Sequence, residues 1–92
     1  MPVVTQMENG YYVMVFEGVG LNAKSAGGGR GLPCNYKISL YPNDSIHWDP
    51  ADIGYTFAYG GNPYVTTLAD GHIAMNVAGK SPIYQYTKGF DW

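Results

Sequence analysis

The sequence predicts an all-β domain: a small antiparallel sandwich or barrel of about seven short strands with one long Gly-rich loop. Three observations carry that expectation. No segment keeps the i, i+3, i+4 apolar spacing of an amphipathic helix for three turns. Stretches rich in β-branched and aromatic residues recur along the chain, separated by Gly, Pro, Asn and Asp. Asp70-Gly71 stands between two such stretches, and that pair favours a hairpin turn needing positive φ at both central residues.

The N-terminal Pro2-Val3-Val4-Thr5-Gln6-Met7 is apolar and uncharged, suited to an edge strand contributed to a neighbour. Gly10 to Glu17 reads as a strand with Tyr11, Val13 and Val15 on one side and Tyr12, Met14 and Phe16 on the other. A strand apolar on both faces is either central in a sandwich or covered by another subunit. Tyr36 to Tyr41 alternates more cleanly, with Tyr36, Ile38 and Leu40 inward and Lys37 and Ser39 outward, before Pro42-Asn43-Asp44 turns the chain. Ser45 to Trp48 is a short strand candidate, and Asp49-Pro50 offers the N-cap and first position of one helical turn. Gly54 to Tyr59 places Tyr55, Phe57 and Tyr59 together until Gly60-Gly61-Asn62-Pro63 breaks it. Tyr64 to Ala69 and His72 to Val77 flank the Asp-Gly turn and make Leu68, Ile73, Met75 and Val77 core candidates. Pro82 to Lys88 supplies the last strand.

Residues 18–35 differ in character. They hold six of the 13 glycines, with Lys24 and Arg30 as the only charges. Such a segment reads as a loop or arm that orders against a neighbouring subunit, or as a tolerated surface insertion. Residues 89–92 form an aromatic C-terminal tail ending on Phe90 and Trp92, which either cap the domain's own core or anchor in a partner.

Ninety-two residues allow one domain spanning 1–92 and argue against a two-domain enzyme. Charged residues make up 13% of the chain, about half the usual share, while aromatics reach 15% with nine Tyr. A chain this short hides only about 60–65% of its unfolded surface, so part of that Tyr-rich material faces outward. Outward apolar patches usually mark a partner surface. A net charge of −2 argues against nucleic acid as that partner, and no apolar run approaches the length of a membrane span. Met1-Pro2-Val3-Val4-Thr5-Gln6 lacks the basic region and apolar stretch of a secretion signal, which points to a cytoplasmic or virion location.

Catalytic and cofactor motifs do not assemble. Gly18-Val19-Gly20-Leu21-Asn22-Ala23 matches G-x-G-x-x-A, and Gly18 to Ser25 is one substitution from a phosphate loop. Both patterns need a following helix, and Ala-Gly-Gly-Gly-Arg-Gly-Leu-Pro cannot propagate one. His47 and His72 with Asp44, Asp49, Asp52 and Asp70 have the ligand types for a metal but no spacing that fixes two of them locally. Cys34 follows Pro33 in loop-like sequence with no adjacent base, which describes an ordinary thiol. No enzyme activity, cofactor or metal is therefore expected.

The expectation is a non-catalytic structural or assembly protein, a small decoration or accessory subunit of a larger repeated particle of phage or viral type. Its partners are itself or a larger protein assembly, and its interface candidates are Tyr11, Tyr12, Phe16, Arg30, Phe90 and Trp92. The alternative is a small binding or inhibitory protein that captures a host protein or a small ligand, or a carbohydrate-binding module. There Trp48, Tyr55, Tyr59 and Tyr64 would form the stacking platform, or else simply cover the core.

Overall fold

The computed structural model describes residues 2–19, 31–49, 53–68, 73–78 and, for strand placement alone, 84–86. Arg30, Phe90, Trp92, the Asp70-Gly71 pair, His72 and the helical-turn candidate at Pro50 lie outside the described residues, as do 20–30 of the Gly-rich segment.

The described residues are all-β. They form β1 (Val3–Gln6), β2 (Tyr12–Glu17), β3 (Leu32–Ile38), β4 (Tyr55–Gly60), β5 (Tyr64–Thr67), β6 (Ile73–Asn76) and β7 (Tyr84–Tyr86). Two antiparallel sheets result, ordered β1-β2-β3-β4 and β5-β6-β7. Neither closes on itself, so the barrel alternative is set aside: β1 and β4 end the first sheet as separate edges. Among the described residues no helix is long and apolar enough to cross a membrane.

Burial explains why these segments are strands. Val13 and Val15 of β2 are wholly buried while Tyr12, Met14 and Phe16 are half-buried, which is the two-sided alternation read in the sequence. Val15, Cys34 and Phe57 pack with Met75 and Val77, and Met7 and Val13 pack with Ile73, so every described core cluster draws residues from both sheets. Fully burying a Val or Met side chain contributes roughly 1.5–3 kcal/mol. All four residues of β6 are buried, making it the most enclosed strand of the described set.

The first hairpin turns at Asn9-Gly10. Gly10 N–H donates to the Met7 carbonyl at 3.0 Å, and Gly10 takes φ +92°, a backbone region glycine enters freely. Asn9 Oδ1 accepts the Tyr11 N–H, so the turn is held from both sides.

Several expectations need correction. β1 is an edge strand of this chain's own sheet, paired with β2 from Val3↔Val15 to Gln6↔Tyr12. β3 starts at Leu32, inside the expected 18–35 loop. Pro33 is tolerated there because the β2 ladder ends at Glu17↔Cys34, one residue short of it. Ser39 is buried and Leu40 exposed, the reverse of the alternation, because the strand stops at Ile38. Past that point the Ser39 hydroxyl accepts the Tyr12 N–H and donates to the Tyr41 carbonyl.

Ser45 to Trp48 is a bend, not a strand. Asp44 Oδ1 accepts the N–H groups of Ile46 and His47, and the Trp48 indole donates to the Ser45 carbonyl, so local bonds outcompete a ladder. Ile73, Met75 and Val77 are buried as expected, but Leu68 is only half-buried. A two-residue turn at 70–71 would pair Leu68 with Ile73, whereas the structure pairs Thr67 with Ile73. That one-residue slip moves Leu68 out of the core row.

Gly54 is the tightest glycine of the sheet. It takes φ +80°, and a Cβ there would stand 2.7 Å from the Tyr36 carbonyl oxygen and 3.0 Å from Phe16 Cζ. Gly54→Ala combines positive-φ strain of about 1–2 kcal/mol with a backbone clash, so the variant loses roughly 2 kcal/mol or more. Urea denaturation measures this as a lowered midpoint; an unchanged midpoint would contradict the packing described.

Candidate functional site

The outward face of the first sheet is built by register. Because Val13 and Val15 face the core, Tyr12, Met14 and Phe16 face away from it. Val4 pairs with Met14, and Met14 with Lys37, so one row runs Val4–Met14–Lys37 across three strands. A second row places Gln6 beside Tyr12, and a third places Phe16 beside Asn35 and Thr56. Val4 is 44% exposed. The Lys37 ammonium lies 5.9 Å from the Phe16 ring centroid, within reach of a cation–π contact. The face is therefore apolar at its centre, with Lys37 as a charge beside it.

Asn35 fixes the upper end of this face. It is fully buried; its Nδ2 donates to the Gly18 carbonyl at 2.9 Å and its Oδ1 accepts from Thr56 Oγ1 at 2.6 Å. Gly18 N–H in turn donates to the Pro33 carbonyl, tying the end of β2 to the start of β3. A buried amide with its partners in place locks neighbouring strands in one register.

The 39–49 segment forms a second exposed feature. Asp44 accepts from two backbone N–H groups and lies 2.7 Å from His47 Nδ1, on a loop closed by the Leu40 N–H to the His47 carbonyl. The His47 hydrogen bond, followed by those from the Ile46 and His47 backbones, holds the Asp44 carboxyl below the usual range. The loop is pinned to the first hairpin by Asn43 N–H to the Gly10 carbonyl and by Gln6 Nε2 to Asn43 Oδ1. It presents Ile46, which is 80% exposed, together with Tyr41, whose ring meets His47 edge-on.

The residues singled out in the sequence separate in space. Tyr12 and Phe16 share the outward face, whereas Tyr11 packs on the core side against the cluster of Met7, Val13 and Ile73. Trp48 belongs to the 39–49 loop. Tyr55 and Tyr59 pair with Tyr36 and Pro33, which are three residues apart on β3 and so point to opposite faces. The cause is an extra residue in β4, where the register shifts opposite Cys34 and Asn35 and brings both Phe57 and Ala58 toward the core. Tyr64 stands in the other sheet, opposite Asn76. The four aromatics thus do not form one platform.

Of the carboxylates named with it, His47 meets Asp44, at 2.7 Å. Among the described residues no group of three His, Cys, Asp or Glu side chains could hold a metal. Cys34 is buried in the core, its thiol 3.7 Å from the Leu32 carbonyl. Val4 and Met14 were not among the interface candidates; their pairing is set by the three-residue loop Glu8-Asn9-Gly10, closed by the Met7 N–H to the Tyr11 carbonyl with Gly10 at positive φ.

Comparison with known proteins gives no match to a family model, to a curated protein or to a solved structure.

Because the folded Asp44 carboxyl titrates below its unfolded value, its contribution is present above the ordinary Asp pKa of about 3.9 and is lost as pH falls through the lower folded value. Asp44→Ala removes that dependence and frees the N–H groups of Ile46 and His47. The stability gap between wild type and Asp44→Ala, followed by urea titration, should therefore be widest near neutrality and narrow below pH about 4. A gap constant with pH would contradict the assignment.

Proposed function

We propose that this chain is a non-catalytic assembly protein that works by packing against other protein, with copies of itself as the first partner. In this reading the two sheets are the halves of a β-sandwich, and the face carrying Val4, Tyr12, Met14 and Phe16 is what a neighbour covers. The observation that carries the proposal is the composition of that face. Its central row runs from a 44% exposed Val through Met to a single Lys, where a solvated sheet face ordinarily alternates to polar residues. A decoration or accessory subunit of a repeated particle, of phage or viral type, is the proposed setting. It rests on analogy with the small size, the 13% charged content and the lack of a catalytic motif.

The test is the mass of the intact chain by light scattering across a concentration series. The expected result is an oligomer that dissociates on dilution. Met14→Glu sets a carboxylate beside Lys37, which the free chain tolerates, but covering that pair strips two charges of water. The variant should weaken association at least tenfold, about 1.4 kcal/mol, with its melting temperature little changed. A wild-type chain that stays monomeric at high concentration would overturn self-assembly.

A further inference from the structure

The first sheet ends on β1, and the hydrogen-bond pattern shows which groups that edge offers. Met7 N–H donates to the Tyr11 carbonyl at 2.8 Å, so the hydrogen-bonded pairs of the β1–β2 ladder fall at Met7, Thr5 and Val3. The N–H and C=O groups of Val4 and Gln6 consequently point away from β2, out of the sheet. Among the described residues no strand pairs on that side.

Exposed edges are commonly guarded by a charge, a proline within the strand or a bulge. β1 reads Val-Val-Thr-Gln and has none of these, and its ladder to β2 runs without a shift. The opposite edge, β4, carries the extra residue at Phe57-Ala58, which disrupts regular pairing. β5, the end strand of the second sheet, lies against β1 and β2. Both sheets therefore end on the same side of the molecule.

We propose that β1 is the seam of a symmetric dimer, in which a second copy adds its own β1 antiparallel, centred on Thr5 opposite Thr5. This rests on the self-assembly reading above and specifies its contact. A two-fold axis perpendicular to the sheet keeps outward residues beside outward residues, so only registers centred on a residue are allowed. Centring on Val4 would oppose Gln6 to Pro2, which has no N–H to give. Centring on Thr5 opposes Val4 to Gln6 twice, and all four outward backbone groups on each copy are then bonded. Every residue of β1 is uncharged, so the strand meets its copy without like-charge repulsion. The product is a continuous eight-stranded sheet whose Val4–Met14 rows meet on one face. A four-residue edge alone falls short of the roughly 1,200 Å² that a stable interface buries, and the stacked β5 edges supply the second layer.

Two variants of the intact chain test the seam. Val4→Pro removes an outward N–H while leaving the β1–β2 ladder in place, because edge strands accept proline on their open side. It should raise the dimer dissociation constant at least tenfold, with the circular dichroism spectrum and melting temperature close to wild type. Thr5→Cys places two thiols in a non-hydrogen-bonded pair, where Cα atoms approach about 4.5 Å, a separation a disulfide spans. It should give a disulfide-linked dimer under mild oxidation, whereas Gln6→Cys, facing Val4 of the other copy, should not. Native Cys34 is buried and does not compete. If the chain oligomerises but Thr5→Cys fails to cross-link and Val4→Pro binds as wild type, the seam is overturned and self-assembly stands. Should Val4→Pro not fold, the Cys pair decides alone. A monomeric wild type overturns both.

Discussion

The structure depends on the contact between β6 and the inward rows of β2, β3 and β4. Met75 and Val77 meet Val15, Cys34 and Phe57, while Ile73 meets Val13 and Met7, and these few side chains make up most of the described core. A chain of 92 residues has little apolar volume to spare, and among the described residues the inward side chains of the two sheets are buried against each other. Everything outward follows from that. Once Val13 and Val15 are committed inward, Tyr12, Met14 and Phe16 have no place but the opposite face.

Polar groups set the boundaries that this small core cannot. Asn35 bonds to Gly18 and Thr56 across three strands, and Ser39 ends β3 by bridging Tyr12 and Tyr41. Asp44 gathers two backbone N–H groups and the His47 ring to shape the following loop. The Asn35 and Ser39 bonds join a side chain to groups distant in sequence or at a strand end, so the strands are held in register there without added apolar burial, while the Asp44 bonds are local to its loop. Glu17 does the same at the crossing between sheets, accepting the Asn62 N–H where Asn62 takes φ +50°.

Much of the fold was legible because strand alternation needs only neighbours in sequence. The two-sided pattern of Tyr12 to Glu17 follows from period two alone, and the same alternation picks out Ile73, Met75 and Val77, whereas the burial of Ala74 and Asn76 between them does not follow from it. The surface was less legible. Tyr11 keeps the core side that alternation gives it with Val13 and Val15, but the outward place of Val4 requires the β1–β2 register. Tyr55 and Tyr59 look alike in the sequence, yet an extra residue between them sends their side chains to opposite faces. No local pattern announces a bulge, because it is decided by what the partner strand has room for.

The sequence by itself determined the all-β class, the turn-forming Asn, Asp and Gly positions and the two-faced character of β2, since these express backbone preference and side-chain period. Only the tertiary structure decided that Ser39 goes inward, that Ser45 to Trp48 bends and that Leu68 leaves the core row. It also decided that β1 closes its own sheet on one side and leaves Val4 and Gln6 backbone groups facing out on the other. The physical reason is range. Periodicity is written in adjacent residues, while register, bulges and edges depend on hydrogen bonds between segments far apart in the chain.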